Sequence, residues 1–460
     1  MDSKRWKRYL PFVILFAAIL LRVVLNTPSV FSFWVDETDY ANRATYIIDH
    51  GGKADPDFLF DHPPLFMYLQ AGVFSVFGNE WYVARGLAVS IGVLTTFFFY
   101  AIGKELKNER LGLVMATLFA VAPVFVNVNR WAIIENFLGL ILCGAFLALL
   151  KYHRTKAPAW FLLGAVMVSM AIATKFTSIV FLPPVAVYVV MERMYRRWVL
   201  YVALVLSVLI LIPLLSIMDP FTFINFHLHK TSEAQTGYII GGQIIYLGNA
   251  AAAIMTLVWL NVGLAPFFLY LKERAGSKKK YLKSSIQWMR KNPMKAFLLV
   301  WAVSSLCFFS TLKFMTVQYI YTILLPVTVL MGLILYERPK LCKAIAIVFL
   351  CVSITTVAFA RSEGSDQTVN YLTGKVRATD AMVTSDTPVF HYYFPDNDVQ
   401  KATKEELSST NATYVVLKTT AWDEFQKNTT IAKNIGDNYI EVYRTDLDQI
   451  QVNFIVFQRR

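Results

Sequence analysis

The residues best suited to chemistry lie near the start of the chain. Phe33-Trp34-Val35 leads into Asp36-Glu37, followed by Asp39, Tyr40 and Arg43. Some twenty residues later comes Phe60-Asp61-His62-Pro63-Pro64. A third polar cluster, Asn129-Arg130 with Glu135-Asn136, opens a stretch that is otherwise apolar through Leu150. An aspartate beside aromatic residues at a water–lipid boundary suits a general base. It meets a hydroxyl within hydrogen-bond reach, and partial desolvation raises its pKa toward the working pH. Asp36 is that candidate, and the alternative is that it only caps the helix that follows, a position aspartate favours. Glu135, at the mouth of an apolar helix, is a functional candidate by the cost of placing an acid there. Its alternative is a structural ion pair with Arg130.

The elements that must position these residues are membrane helices. Of the 460 residues 56% are hydrophobic and 16% charged, against about 25% charged in a soluble protein. With a mean hydropathy of +0.48, the chain cannot clothe a soluble surface, and disorder is excluded on the same grounds. Apolar runs of bilayer-spanning length predict eleven transmembrane helices, near 10–26, 82–103, 111–128, 134–151, 159–174, 177–192, 198–217, 246–271, 295–311, 318–336 and 341–360. The net charge of +13 does not point to nucleic acid. Lys and Arg gather in alternate links, 1–9, 104–110, 152–158, 193–197, 272–294 and 337–340, which marks these as cytoplasmic. Arg22 and Arg85 are expected to snorkel from helix ends. Cys143, Cys307, Cys342 and Cys351 show no metal spacing and read as small core residues.

The fold class is thus an α-helical polytopic membrane protein with a small C-terminal α/β extracytoplasmic domain. Residues 1–360 form the membrane domain, with a long first outer loop over 27–81 that carries interfacial helices. Such a long loop is itself a mark of function. One helix enters at Asp36 or Glu37, and a second restarts at Pro63 or Pro64, since proline fits a first helical turn. Residues 361–460 are polar, with strands near 413–417 and 439–443 and a helix near 421–433. No chemistry is legible in that module. His227 and His229 in the loop 218–245 read as a solvated loop in preference to a metal site.

Trp34-Val35-Asp36-Glu37 in a long first outer loop resembles the type C glycosyltransferases that use polyprenol-phosphate sugars. Asp61-His62-Pro63-Pro64-Leu65 is similar to the charged-Pro-Pro-Leu motif of their protein O-mannosyltransferase and lipid A aminoarabinose transferase branch. Arg130 with Glu135 resembles that branch's second acidic site, and Lys313 with Tyr319 and Pro326 its late Lys–Tyr–Pro segment. The resemblance covers about 1–340 and implies a membrane hexosyl- or pentosyltransferase. By resemblance Asp36 is the base, with Glu37 and Glu135 as further catalytic acids, and His62 lies near the lipid phosphate. Two positions depart from the pattern. Asp39 stands where an arginine is usual, and His62 where lysine is, so Arg43, Lys175 or Lys313 substitute as phosphate holders. Tyr40, Asp61, Arg130 and Tyr319 complete the expected substrate-binding set.

The implied donor is a polyprenyl- or dolichyl-phosphate sugar, and the acceptor is a hydroxyl on lipid or protein at the extracytoplasmic face of the cell membrane. Direct displacement inverts the anomeric centre. No cofactor is required, because a monophosphate leaving group needs less neutralisation than a diphosphate. A divalent metal on Asp36, Glu37, Asp61 and Glu135 is chemically possible. Membrane lipid is a partner and nucleic acid is not. The rival reading is a transporter or lipid flippase, but its polar residues belong at mid-membrane in two related halves. A non-catalytic receptor is a third reading, which the acidic loop residues disfavour.

Overall fold

The computed structural model describes residues 3–27, 33, 35–54, 62–217, 291–310, 317–358, 364–445 and 453–460. The expected helix near 246–271 and the histidines of the 218–245 loop lie outside the described residues. In chain order the helices are α1 (Ser3–Val23), α2 (Val35–Asp49), α3 (Leu65–Phe77), α4 (Trp81–Leu106), α5 (Glu109–Val121), α6 (Pro123–Val128), α7 (Ile134–Thr155), α8 (Pro158–Thr174), α9 (Leu182–Met191), α10 (Trp198–Ile217), α11 (Pro293–Ser310), α12 (Val317–Tyr336) and α13 (Pro339–Ala358). Among the described residues three, α4, α7 and α13, are long and apolar enough by length and composition to cross a membrane, and seven apolar helices are shorter.

Two expected spans are broken. The run 111–128 stops at Ala122, whose backbone is extended, and restarts at Pro123 as α6. Proline lacks the N–H that would continue the ladder and disfavours a helical residue before it. The run 177–192 begins as a 3₁₀ turn, Phe176–Phe181, and becomes α9 only where Pro183 and Pro184 fit its first turn. Asn108 starts α5 conventionally, its side chain accepting the Leu111 N–H.

The membrane core centres on α4, α5, α7 and α12. Phe99, Phe119 and Phe125 are fully buried and stack, with Tyr321 edge-on to Phe125 at 5.3 Å. The α4–α5 crossing depends on glycine. A Cβ on Gly103 would lie 2.7 Å from the Gly112 Cα, so the two backbones meet where no side chain fits. Cys143 is buried as expected, but Cys307 and Cys351 are exposed on apolar helix surfaces and are not core residues.

The C-terminal part contains α14 (Gly364–Leu372), β1 (Met382–Thr384), α15 (Thr387–Tyr393), β2 (Val399–Lys401), α16 (Lys404–Ser409), β3 (Tyr414–Lys418), α17 (Thr419–Phe425), α18 (Thr429–Asn438), β4 (Tyr439–Arg444) and β5 (Phe454–Arg459). The sheet order is β2-β1-β3-β5-β4. β1 runs parallel to β2 and β3, and β5 antiparallel to β3 and β4. Alternation along β3 sends Val415 and Leu417 to one apolar cluster and Tyr414 and Val416 to the other. The helix expected near 421–433 is two, α17 and α18. Asn428 caps the second by accepting the Thr430 and Ile431 N–H groups.

Candidate active site

The helix carrying the acidic pair begins at Val35, so Asp36 and Glu37 both lie in the first turn of α2. Acids are favoured there by the exposed N–H groups and the helix dipole. Their surroundings then separate them. Asp36 is half-buried. Glu37 is fully buried and bound on both oxygens. Arg85 of α4 donates from Nε to Oε1 at 3.0 Å and from Nη2 to Oε2 at 2.7 Å, and the Ala132 N–H donates to Oε1 at 2.8 Å. A buried pair is tolerable only when its hydrogen bonds are this complete. Glu37, expected as a catalytic acid or metal ligand, has both oxygens engaged by a bidentate arginine and a backbone amide, the bonding of a residue that supports α2. Arg85 does not snorkel; it is buried, 5.4 Å from the centre of the Phe33 ring. The pair joins α2, α4 and the segment before α7.

Glu135 lies in the first turn of α7 and is buried. Its partner is Lys175, the residue that ends α8, with Nζ 2.5 Å from Oε1. The alternative pairing with Arg130 does not occur. Arg130 donates to three carbonyls where α1 ends, Leu21 at 3.1 Å, Val24 at 2.6 Å and Leu25 at 2.8 Å. Those carbonyls are the orphans of a helix C-terminus, which a cation satisfies well. Arg130, expected among the substrate-binding residues, is therefore a helix cap. The other Glu135 oxygen, Oε2, is buried with no hydrogen-bond partner among the described residues.

The turn between α6 and α7 is held by a network that the sequence reading did not identify. Fully buried Arg22 of α1 donates to the Asn129 side-chain oxygen and to the Ala18, Phe119 and Ala120 carbonyls. It is thus a structural anchor that does not snorkel. Asn129 donates to Asn136 Oδ1 at 2.7 Å and to the Tyr321 hydroxyl at 3.2 Å. Asn136 in turn donates to the Val128 and Trp131 carbonyls. A Cβ on Gly139 would strike the Tyr321 ring. An ionisable residue inside an apolar run was the available signal, since such a group needs a named partner.

Tyr40 stands one turn after Asp36 on the same face of α2. It is buried, with His62 at 5.9 Å and Phe66 edge-on at 5.8 Å between ring centres. Phe66 reaches Phe137 of α7 at 6.2 Å. The N-terminal ends of α2, α3 and α7 thereby surround one phenol. Burial holds the Tyr40 hydroxyl well above the usual tyrosine range, and the charges of Asp36, Glu135 and Asp39 add to that, so it remains a proton donor. Arg43 pairs with Asp39 across one helical turn at 2.8 Å, which satisfies part of the cation expected at the phosphate.

The structure thus gathers Asp36, Tyr40, His62, Glu135 and Lys175 and places Glu37 and Arg130 in supporting bonds. Asp61 and Lys313 lie outside the described residues, as does the side chain of Tyr319. No group of three or more His, Cys, Asp or Glu side chains among the described residues could hold a metal ion. The C-terminal part meets this region through α15. Asn42 of α2 donates to the Pro388 carbonyl at 2.9 Å, and the Tyr392 and Phe33 rings are 5.0 Å apart.

Comparison with known proteins converges on this architecture. The sequence profile of the dolichyl-phosphate-mannose-protein mannosyltransferase family matches residues 61–217. No curated relative matches the chain by sequence. Among solved structures, ArnT from Cupriavidus metallidurans bound to undecaprenyl phosphate superposes with a TM-score of 0.66 at 14% identity, over 99% of this chain and 98% of ArnT. The Archaeoglobus fulgidus oligosaccharyltransferase with zinc and sulfate gives 0.60 at 13% identity, over 94% and 71%. The same organism's AglB, in complex with an inhibitory peptide and a dolichol-phosphate, gives 0.58 at 13%, over 96% and 74%. Residues 61–217 thus match the dolichyl-phosphate-mannose-protein mannosyltransferase family, and the chain has the fold shared by ArnT and AglB.

Proposed function

We propose that this protein transfers a sugar from a polyprenyl or dolichyl monophosphate to an acceptor hydroxyl at the extracytoplasmic membrane face, with inversion. The observation that carries the reading is the assembly of Asp36, Tyr40 and the Glu135–Lys175 pair where the N-termini of α2, α3 and α7 meet. Asp36 takes the proton of the acceptor hydroxyl as its oxygen attacks the anomeric carbon. The bond from that carbon to the phosphate oxygen breaks on the opposite side, and the lipid monophosphate leaves. Lys175 and His62 supply positive charge or hydrogen bonds to the departing phosphate. Tyr40 donates its hydroxyl hydrogen to an oxygen of the donor. Glu135 orients Lys175 through Oε1, while Oε2 accepts from a hydroxyl of the sugar. The displacement has no obligatory metal, since one phosphate leaves with one positive side chain beside it.

The ordering of donor and acceptor follows from the bilayer: the isoprenoid tail enters between apolar helices, and the acceptor arrives from water. The test is transfer of labelled sugar from a polyprenyl-phosphate donor by purified protein. Asp36→Asn keeps the size of the side chain but removes the base. Turnover is expected to fall by about 100-fold or more, the scale on which a general base contributes. Near-normal turnover in a stably folded Asp36→Asn protein would sink the assignment.

A further inference from the structure

Two buried contacts bracket Asp36 along the chain. Three residues before it, Phe33 is fully buried, its ring 5.0 Å from the Tyr392 ring and 5.4 Å from the Arg85 guanidinium. One residue after it, Glu37 holds that same Arg85 with two hydrogen bonds. Tyr392, Phe33, Arg85 and Glu37 therefore form a continuous line from the C-terminal part through α2 to α4. The Asn42–Pro388 bond at 2.9 Å fixes the next two turns of α2, and the Tyr392 hydroxyl reaches the Asn79 carbonyl just before α4 at 3.5 Å.

Helix α15 divides its side chains between two cores. Val389 and Phe390 pack into the sheet's own apolar cluster, whereas Tyr392 packs against the membrane-domain cluster. The sheet is covered by apolar clusters of its own on both faces, so Tyr392 is not needed to fill them. Its position serves the contact with α2.

We propose that Tyr392 is a positioning residue for transfer: the C-terminal module acts as a clamp that holds the first turn of α2, and hence Asp36, in register with the Glu135–Lys175 wall. This rests on the reading of Asp36 as the base. A base acts only from within hydrogen-bond reach of the proton it takes, and a displacement of about 1 Å can cost 100-fold in rate. The module would therefore set turnover without touching substrate.

The experiment uses the full chain in nanodiscs with a labelled polyprenyl-phosphate sugar, and compares kcat and donor KM for wild type, Tyr392→Ala, Tyr392→Phe, Asn42→Asp and Asp36→Asn. Tyr392→Ala is expected to lower kcat by about tenfold or more with donor KM within about twofold, because orientation and not donor binding is lost. Tyr392→Phe keeps the ring on Phe33 and is expected to keep kcat within about twofold of wild type. Asn42→Asp sets a carboxylate against the Pro388 carbonyl and is expected to lower kcat in the same sense, without opening a cavity. It decides the matter alone if Tyr392→Ala does not fold. The clamp is overturned if kcat is unchanged in Asn42→Asp and in folded Tyr392→Ala, or if donor KM rises at unchanged kcat. If Asp36→Asn is inactive and Tyr392→Ala fully active, only the clamp fails. Full activity of Asp36→Asn removes the base assignment, and the clamp with it.

Discussion

The buried Glu37–Arg85 pair permits a test that separates support from chemistry. Glu37→Gln keeps the shape of the side chain but leaves Arg85, 2% exposed, charged in an apolar surrounding. Removing one partner of a buried pair costs about 3–5 kcal/mol. Replacing both partners by apolar residues of similar volume removes the uncompensated charge and is often neutral. In this protein one further loss remains, because the Ala132 N–H bonded to Glu37 Oε1 would be orphaned at about 1–3 kcal/mol. Glu37→Gln is thus expected to be about 3–5 kcal/mol less stable than wild type, and Glu37→Met with Arg85→Met only about 1–3 kcal/mol less stable, so that the double variant regains part of the loss. Stability would be read from reversible unfolding in mixed micelles, and transfer measured on the same preparations. If Glu37 only supports α2, transfer recovers together with stability in the double variant. A double variant that regains stability but stays as inactive as Glu37→Gln would refute the supporting role and return Glu37 to the reaction. So would a Glu37→Gln protein of wild-type stability.

Other outcomes follow from the same geometry. Arg130→Ala is expected to lower the melting temperature, since three carbonyls at the end of α1 lose their donor, while donor KM stays within about twofold because no phosphate contact is lost. Lys175→Ala strands the buried Glu135 carboxylate and removes a cation from the leaving phosphate, so kcat should fall by about tenfold or more, with donor KM raised. The Tyr40 phenol is held above its ordinary value in the folded chain, so its contribution to stability is complete below about pH 10 and is lost as pH rises beyond it. Unfolding midpoints followed from pH 8 to 11.5 should show a smaller alkaline loss in Tyr40→Phe. Transfer should survive prolonged treatment with EDTA, and a loss restored by one added divalent cation would overturn the metal-free displacement.

The sequence made the helix that carries Asp36 and Glu37 legible but not its partners. Asp36 and Glu37 look alike along the chain, since both follow an aromatic anchor and both enter a helix. What distinguishes them is Arg85, 48 residues away in sequence, and only the α2–α4 packing brings it to one carboxylate and not the other. Arg130 misled for the converse reason. It lies five residues from Glu135, and proximity in sequence suggested a pair, yet the end of α1 presents three carbonyls that a single guanidinium satisfies at once. Lys175 was suggested as a substitute cation but not as the partner of Glu135. The break at Pro123 was visible in the residue itself and was concealed by an apolar run long enough to read as one span.

Side chains that look like substrate-binding charges are used here to fix helix ends, and this bears on how the site works. Arg22, Arg85 and Arg130 each satisfy buried acceptors around one short segment, residues 129–136, from three directions: Arg22 through Asn129, Arg85 through Glu37 and the Ala132 amide, and Arg130 through the α1 carbonyls. That segment delivers Glu135. A carboxylate brought to a membrane surface on a loose loop would turn toward water, where its solvation is best. Held in this network it remains buried, with Lys175 on one oxygen and no hydrogen-bond partner on the other among the described residues. The cost of burying three arginines is therefore tied to the placement of one acid. Weakening Arg22 should therefore reach the reaction through Glu135 before it reaches Asp36. In Arg22→Met the wall bearing Glu135 and Lys175 would shift, so donor KM should rise by more than kcat falls. In Arg85→Met, which frees α2 as well, kcat should fall by more than donor KM rises. Equal changes in both variants would mean that the two walls move as one body, and that the site's geometry is set elsewhere.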